Sequence, residues 1–123
     1  MTGTWFKAAS VDDVERDSVR QVHIGGHDIA LYRCGDYFYA SGNICPHAYA
    51  LLSDGFLEGF EIECPLHGAR FDCRTGESLS GPADEDLRTF PVRINGDAVE
   101  IDTACAAMGN HAAVAACAAK GSR

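Results

Sequence analysis

The sequence predicts an all-β protein, an antiparallel sandwich or small barrel built from short strands. One observation is a series of short runs rich in β-branched and aromatic residues: VRQVHI, DIALYRC, YFYASGN, GFEIECPL, ARFDC, RTFPVRI and DAVEID. A second is the turn-forming residues between these runs, since glycine and asparagine tolerate positive φ. The third is the length of 123 residues, which gives room for one domain of this kind.

The elements follow in chain order. Ser10 precedes VDDVER and is predicted to cap one short helical turn. Turns are predicted at Gly25-Gly26, Cys34-Gly35-Asp36 and Asn95-Gly96. The clearest hairpin is PVRINGDAVEI, because apolar and polar residues alternate on both sides of Asn95-Gly96. We therefore expect one domain over residues 1–102. The alanine-rich segment 103–123 is expected to be an appended tail, with a short helix at 111–120.

Charge and hydropathy argue against a nucleic-acid-binding protein and against a membrane-spanning one. The net charge is -8, and residues 54–102 alone carry twelve Asp and Glu against four Arg. Such a surface repels nucleic acid and favours a basic protein partner, although it also serves solubility. No run approaches the roughly 18 apolar residues of a membrane span. The N-terminus has no apolar stretch typical of a signal peptide, so we expect a cytoplasmic protein.

Two short motifs combine cysteine with histidine. Cys45-x-His47 is followed, after sixteen residues, by Cys64-x-x-His67, and each cysteine precedes a proline that stiffens its loop. A structural zinc site would accept two sulfurs and two nitrogens, but it usually pairs Cys with Cys and His with His along the chain. Mixed pairs fit a [2Fe-2S] cluster better, with two Cys on one iron and two His on the other. Two loops that each contribute one ligand to each iron would hold the core from both sides.

The segment CPHAYALLSDGFLEGFEIECPLHGARFDCRTGE resembles the cluster-binding region of Rieske-type ferredoxins, the electron carriers of aromatic-ring-hydroxylating dioxygenases. The resemblance implies a Rieske fold, an antiparallel β structure with an inserted cluster-binding subdomain and one [2Fe-2S] cluster per chain. Cys45 and Cys64 would bind the buried iron, and His47 and His67 the outer iron. The implied cluster-binding loops are residues 43–52 and 63–72, and a third loop at 80–86, containing Pro82, would cover the cluster.

The resemblance also implies partners and excludes some relatives. High-potential Rieske proteins carry a disulfide at the positions of Ala50 and Leu66, so that bridge cannot form here. The chain has no candidate mononuclear iron triad, which indicates an electron carrier and not a hydroxylase. The resemblance implies a monomer that acts in aromatic hydrocarbon catabolism. It would pass electrons from an FAD- and NADH-dependent ferredoxin reductase to a terminal oxygenase. The alternatives are the small subunit of an assimilatory nitrite reductase and, in a different class, a zinc-stabilised binding module.

Other candidate residues carry weaker expectations. Cys34 and Cys73 are expected to be buried free thiols, and His23 and His27 ordinary surface histidines. Cys105 and Cys117 lie in the tail and receive no role. High-potential family members carry a serine and a tyrosine that bond to sulfur where this chain has Ala69 and Phe71. The resemblance therefore implies a midpoint potential at the low end of the Rieske range.

Overall fold

The architecture is all-β, as the sequence predicts. The computed structural model describes residues 5–45, 50–66, 68–80, 85–104 and 107–108. The predicted helix at 111–120 and the central part of the predicted covering loop, with Pro82, lie outside these residues. In the described part of the chain, no helix has the length and apolar character needed to cross a membrane.

The strands are short and follow one another closely along the chain. Their bounds are β1 Trp5–Ser10, β2 Ser18–Ile24, β3 His27–Cys34, β4 Tyr37–Gly42, β5 Phe56–Glu58, β6 Glu61–Glu63, β7 Arg70–Asp72, β8 Ser78–Ser80, β9 Arg88–Phe90, β10 Val92–Asn95, β11 Ala98–Asp102 and β12 Ala107–Met108. Two 3₁₀ turns lie at Val11–Asp13 and Leu52–Asp54. Ser10 occupies the N-cap of the first turn, as predicted, and its backbone N–H donates to the Asp13 carboxylate.

The first sheet has the order β1-β11-β10 and contains the predicted hairpin. Val92 pairs with Ile101, and Asn95 pairs with Ala98 across the turn. Gly96 has a φ of 65°, which a residue with a side chain adopts only at a cost. The alternation read from the sequence therefore placed both the strands and the turn correctly.

The second sheet has the order β12-β9-β4-β3-β2 and packs against the first. Strands β2, β3 and β4 form an antiparallel meander joined at the two predicted glycine turns. Strand β12 pairs with β9, so a short part of the segment expected to be an appended tail extends this sheet. A core between the two sheets contains Ala9, Val14, Ile24, Ile29, Leu31, Ala40, Phe90, Val99 and Ile101.

Pro91 separates two strands that the sequence suggested as the single run RTFPVRI. Strand β9 ends at Phe90 in the second sheet, and β10 begins at Val92 in the first sheet. Proline has no N–H to donate to a strand ladder, so a sheet boundary at Pro91 loses no hydrogen bond. The chain uses this position to pass from one sheet to the other.

The third sheet is an insertion between β4 and β9 and confirms the predicted subdomain. Its order is β5-β6-β7-β8, an antiparallel meander. Its core is separate from that of the two-sheet base and includes Leu52, Ile62, Phe71 and Leu87. Strand β3 contributes to both cores, because Ile29 and Leu31 face the base while Ala30 and Tyr32 face the insertion. All four β3 residues are fully buried, so this strand joins the two halves.

Candidate metal centre

The two predicted cysteine ligands lie at equivalent places in two loops of the inserted subdomain. Cys45 follows β4, and Cys64 follows β6 directly. These residues are only 2% and 1% exposed, so both thiols are in the core and not on the surface. His47 and His67 lie outside the described residues, and their predicted role as ligands stays a prediction.

The first loop closes on itself through backbone hydrogen bonds. The N–H of Cys45 donates to the carbonyl of Ala50 over 2.9 Å, and an isolated antiparallel bridge joins Ile44 to Leu51. The two ends of the segment 44–51 are therefore held together, with Cys45 at the base of the loop. In the sequence, His47 falls between these two ends.

The second loop repeats the arrangement of the first. The N–H of Cys64 donates to the carbonyl of Ala69 over 2.8 Å, and that of Gly68 donates to the Cys64 carbonyl. Gly68 has a φ of 76°, which suits glycine in this tight turn. In both loops the cysteine N–H donates to the residue five positions later. The sequence showed two similar motifs, and the structure shows that the loops also share a hydrogen-bonding scheme.

The Cys45 thiol lies close enough to the Cys64 thiol to influence its pKa. Burial raises the pKa of the Cys64 thiol; a backbone hydrogen bond at Leu66 opposes this, and the neighbouring Cys45 thiol raises the pKa further. Two buried thiolates side by side repel each other unless a cation lies between them. A pair of this kind fits a buried ferric iron, which deprotonates coordinating thiols.

The described residues alone do not complete a metal site. Across the described ranges, no group of three or more His, Cys, Asp or Glu side chains is arranged to hold a metal ion. The thiols of Cys45 and Cys64 are the two predicted ligands that lie within those ranges. His47 and His67 are close in sequence to Cys45 and Cys64 respectively.

Cys34 and Cys73 form a second pair of buried thiols. Among the described cysteines, all four are free and buried, which confirms the expectation for this pair. Contact with Cys73 lowers the pKa of Cys34, and the same contact, together with burial, raises the pKa of Cys73. Cys34 ends β3 and Cys73 follows β7, so this pair lies where the base meets the insertion.

Asn43 is a residue of the site that sequence reasoning missed. It is fully buried, two positions before Cys45, and its side chain hydrogen-bonds to both Asp28 and Ser53. The only signal in the sequence was a polar residue between the end of a strand and a ligand motif. Asparagine is common in such positions simply as a turn former, so the pattern did not distinguish the two roles.

Carboxylates are concentrated on the exposed surface of the inserted sheet. Arg70 of β7 lies 3.2 Å from Glu61, 3.2 Å from Glu63 and 3.9 Å from Glu58. One guanidinium faces three carboxylates, so this cluster keeps a net negative charge. Glu58 is 84% exposed at its side chain, which leaves that charge available to a partner in solution.

An apolar rim surrounds the bases of the two ligand loops. Ile44 is 49% exposed and Leu66 is 46% exposed. A concavity of about 360 Å³ lies between them and is lined by Ile44, Ala50, Leu51, Asp54, Pro65 and Leu66. Ile44 directly precedes Cys45 and Leu66 follows Cys64 and Pro65, so we call these two side chains and the concavity between them the apolar rim.

Comparison with known proteins identifies this arrangement. Residues 4–91 match the family model for the Rieske [2Fe-2S] domain. The ferredoxin component of the naphthalene 1,2-dioxygenase/salicylate 5-hydroxylase systems of Ralstonia sp. is 49% identical over 94 residues, which are 76% of this chain and 90% of that protein.

Solved structures agree in both fold and sequence. The ferredoxin of carbazole 1,9a-dioxygenase from Nocardioides aromaticivorans has a TM-score of 0.78 and 33% identity, covering 80% of this chain and 97% of its own. A chain in a complex of reduced oxygenase and oxidized ferredoxin in carbazole 1,9a-dioxygenase has a TM-score of 0.76 and 37% identity, with coverage of 80% and 93%. With a family model matched over most of its strands and relatives this similar, the chain belongs to the Rieske [2Fe-2S] domain family.

Proposed function

We propose that the protein is a one-electron carrier that links a flavin-dependent, NADH-oxidising reductase to a terminal oxygenase acting on aromatic compounds. The observation that carries the proposal is the pair of matching loops, each with a buried cysteine at its base. The relatives are named as ferredoxin components of dioxygenase systems, which agrees with the expectation of a carrier and not of a hydroxylase. Those names favour this function over a nitrite reductase subunit.

The ligand assignment is part of the proposal. Cys45 and Cys64 would hold the inner iron of a [2Fe-2S] cluster, and His47 and His67 the outer iron. When bound, such a cluster supplies a one-electron couple whose potential depends on ligand charge, hydrogen bonds and solvent exposure. Leu52, Ile62 and Phe71 are fully buried in the same core as both cysteines and would exclude water from the cysteine side of the cluster.

The apolar rim gives the carrier a surface for transient docking. Ile44 and Leu66 can pack against a partner without any rearrangement of the base, since they are already exposed. A ferredoxin in complex with its oxygenase is among the structures that this chain resembles. We infer that this rim contacts the oxygenase, and that a monomer in the cytoplasm exchanges this partner with the reductase.

Purified protein tests the cofactor. We expect a coloured protein that contains iron and acid-labile sulfide in equal amounts, two of each per chain. Cys45→Ala and Cys64→Ala should each abolish assembly of the cluster, because each removes a thiolate ligand. Cys34→Ala is the matched control, as it removes another buried thiol of the same core and should leave the visible spectrum intact. A colourless protein with one zinc would instead indicate the zinc-stabilised module.

Reconstituted electron transfer tests the pathway. The loaded protein should accept electrons from an NADH-dependent ferredoxin reductase and support turnover by a terminal oxygenase of the naphthalene dioxygenase type. The Cys45→Ala variant is the negative control, and Cys34→Ala should support the same rate as the natural sequence. Electron delivery to a sirohaem nitrite reductase, with none to the oxygenase, would contradict the proposed pathway while leaving the cofactor assignment intact.

A further inference from the structure

Asn43 uses its amide nitrogen twice as a donor and its amide oxygen once as an acceptor. Its Nδ2 donates to Asp28 Oδ1 over 3.0 Å and to Ser53 Oγ over 3.1 Å. Its Oδ1 accepts the backbone N–H of Ser53 over 2.8 Å. The residue is fully buried, so each of these groups would bear the cost of desolvation if it lost its partner.

These bonds join the two ends of the first ligand loop to a strand of the base. Asn43 precedes the loop 44–51, and Ser53 follows it in the 3₁₀ turn. Backbone hydrogen bonds join the same segments. The N–H of Asn43 donates to the Asp28 carbonyl, and the N–H of Leu52 donates to the Asn43 carbonyl. Asp28 lies near the start of β3, the strand whose faces are buried in both cores.

We propose that Asn43 is a positioning residue for the cluster: its amide holds both ends of the first ligand loop against β3, so that Cys45 is presented in its binding position before the cluster arrives. This inference rests on the proposed function only in requiring that a cluster is bound. Fixing the two ends of a loop beforehand reduces the conformational entropy that is lost on binding. Fixed ends also resist the opening that would release iron.

An asparagine side chain is suited to this position because the site needs two donors and one acceptor. Aspartate has nearly the same shape but has no N–H group, and it would place a carboxylate against that of Asp28. A leucine would leave Asp28 and Ser53 without these bonds. The Asn43→Asp variant therefore changes the hydrogen bonding with little change in volume.

The first experiment compares Asn43→Asp with a control at the same acceptor. Gln21 Nε2 donates to both oxygens of Asp28, at 3.0 and 3.3 Å, from an exposed position on β2. Gln21→Leu thus removes a hydrogen bond from the same carboxylate while the hydrogen bonds between Asn43 and Ser53 stay in place. We expect iron release to a chelator to be about 10-fold to 100-fold faster in Asn43→Asp, the usual effect of losing a group that orients a ligand. Gln21→Leu should release iron at the rate of the natural sequence.

The second experiment restores the pairing by exchange. In Asp28→Asn with Asn43→Asp, the amide and the carboxylate change places, and an N–H···O bond between them can form again. We expect the double variant to recover most of the slow iron release and the circular dichroism of the cluster in the visible range. Asp28→Asn alone should be mild, because its amide oxygen can still accept from Asn43.

The readouts separate positioning from general stability. Positioning predicts that Asn43→Asp changes the visible circular dichroism, the electron paramagnetic resonance g-values or the midpoint potential of the loaded protein. A lower Tm with an unchanged spectrum, potential and iron release rate would overturn the inference. Should Asn43→Asp fail to fold, Ser53→Ala removes one acceptor of the same amide and is expected to accelerate iron release, and an unchanged rate in that variant would equally overturn it. A natural-sequence protein without iron would contradict the proposed function, so the two failures are distinguishable.

Discussion

Ala69 and Phe71 lie in the same core as Cys64, the second predicted cysteine ligand, and neither can donate a hydrogen bond through its side chain. Both are fully buried, and the carbonyl of Ala69 accepts the N–H of Cys64. A hydroxyl directed at cluster sulfur stabilises the reduced, more negative core more than the oxidised one. In the proposed cluster, its absence at these two positions would favour the oxidised state and so lower the potential.

We therefore expect a midpoint potential near the low end of the Rieske range, which runs from about -150 to about +300 mV. Ala69→Ser combined with Phe71→Tyr should raise it. If each new bond favours the reduced state by about 1 kcal/mol, each contributes some tens of millivolts for a one-electron couple. Protein-film voltammetry measures the change.

Phe90→Tyr is the control for this experiment. It also adds a hydroxyl to a buried phenyl ring, but in the core between the first and second sheets and not in the core that contains the cysteines. Its midpoint potential should equal that of the natural sequence. A natural-sequence midpoint well above zero would contradict the low-potential assignment.

At the scale of elements, Gly76 is the point where the inserted sheet lies against the segment that leads into β9. It lies between β7 and β8 with a φ of 80°, and its carbonyl accepts the N–H of Leu87. A Cβ at this position would come within 2.4 Å of the Leu87 carbonyl oxygen and 2.8 Å of Thr89 Cγ2. The close approach of these two segments therefore depends on the absence of a side chain.

Gly76→Ala should lower the stability of the protein, because it adds a clash with backbone to a strained conformation. We expect a loss of about 2 kcal/mol or more in the free energy of unfolding. Gly59→Ala is the matched control, since Gly59 has a φ of 62° but nothing within 4 Å of the place that a methyl group would take. That variant should lose only about 1 kcal/mol in the free energy of unfolding, the cost of a side chain on left-handed backbone.

Thermal unfolding of the cluster-loaded variants compares the two changes. The Tm of Gly76→Ala should fall well below that of Gly59→Ala. Equal Tm values would show that the Leu87 segment moves aside at no cost, and that its contact with Gly76 is not a structural requirement.

For the whole molecule, the distribution of charge decides how partners meet it. The net charge is -8, and the cluster around Arg70 places three carboxylates on the inserted subdomain. Long-range attraction between this surface and a basic site on a redox partner would accelerate encounter more than it would tighten the complex. The exposed apolar rim near the cysteines would then supply the short-range contact.

The rate of reduction by the reductase should therefore fall as ionic strength rises. Between about 0.01 M and about 0.15 M the Debye length shrinks from about 30 Å to about 8 Å. Stopped-flow measurements across that range test the dependence, and Glu58→Gln with Glu61→Gln should flatten it. A rate independent of salt would show that the charge serves solubility alone.

The sequence alone determined the fold class, the two ligand motifs and the acidic character of the molecule. These features depend on residues close together in the chain, such as the alternation around Asn95-Gly96 and the spacing within each Cys and His motif. The confirmed hairpin and the family match both follow from such local patterns. The cysteine and histidine ligands, the covering loop and the domain boundary at 102 stay predictions, since nothing in the structure tests them.

The tertiary structure decided what depends on residues far apart in the chain. Asn43 meets Asp28 fifteen positions earlier, and Cys34 meets Cys73 across two sheets. Residues 29–32 of β3 form one apolar run in the sequence, yet alternate residues of that run pack into different cores. Local patterns cannot specify these partners, because a buried amide or thiol is stabilised by whichever groups the sheet topology brings to it.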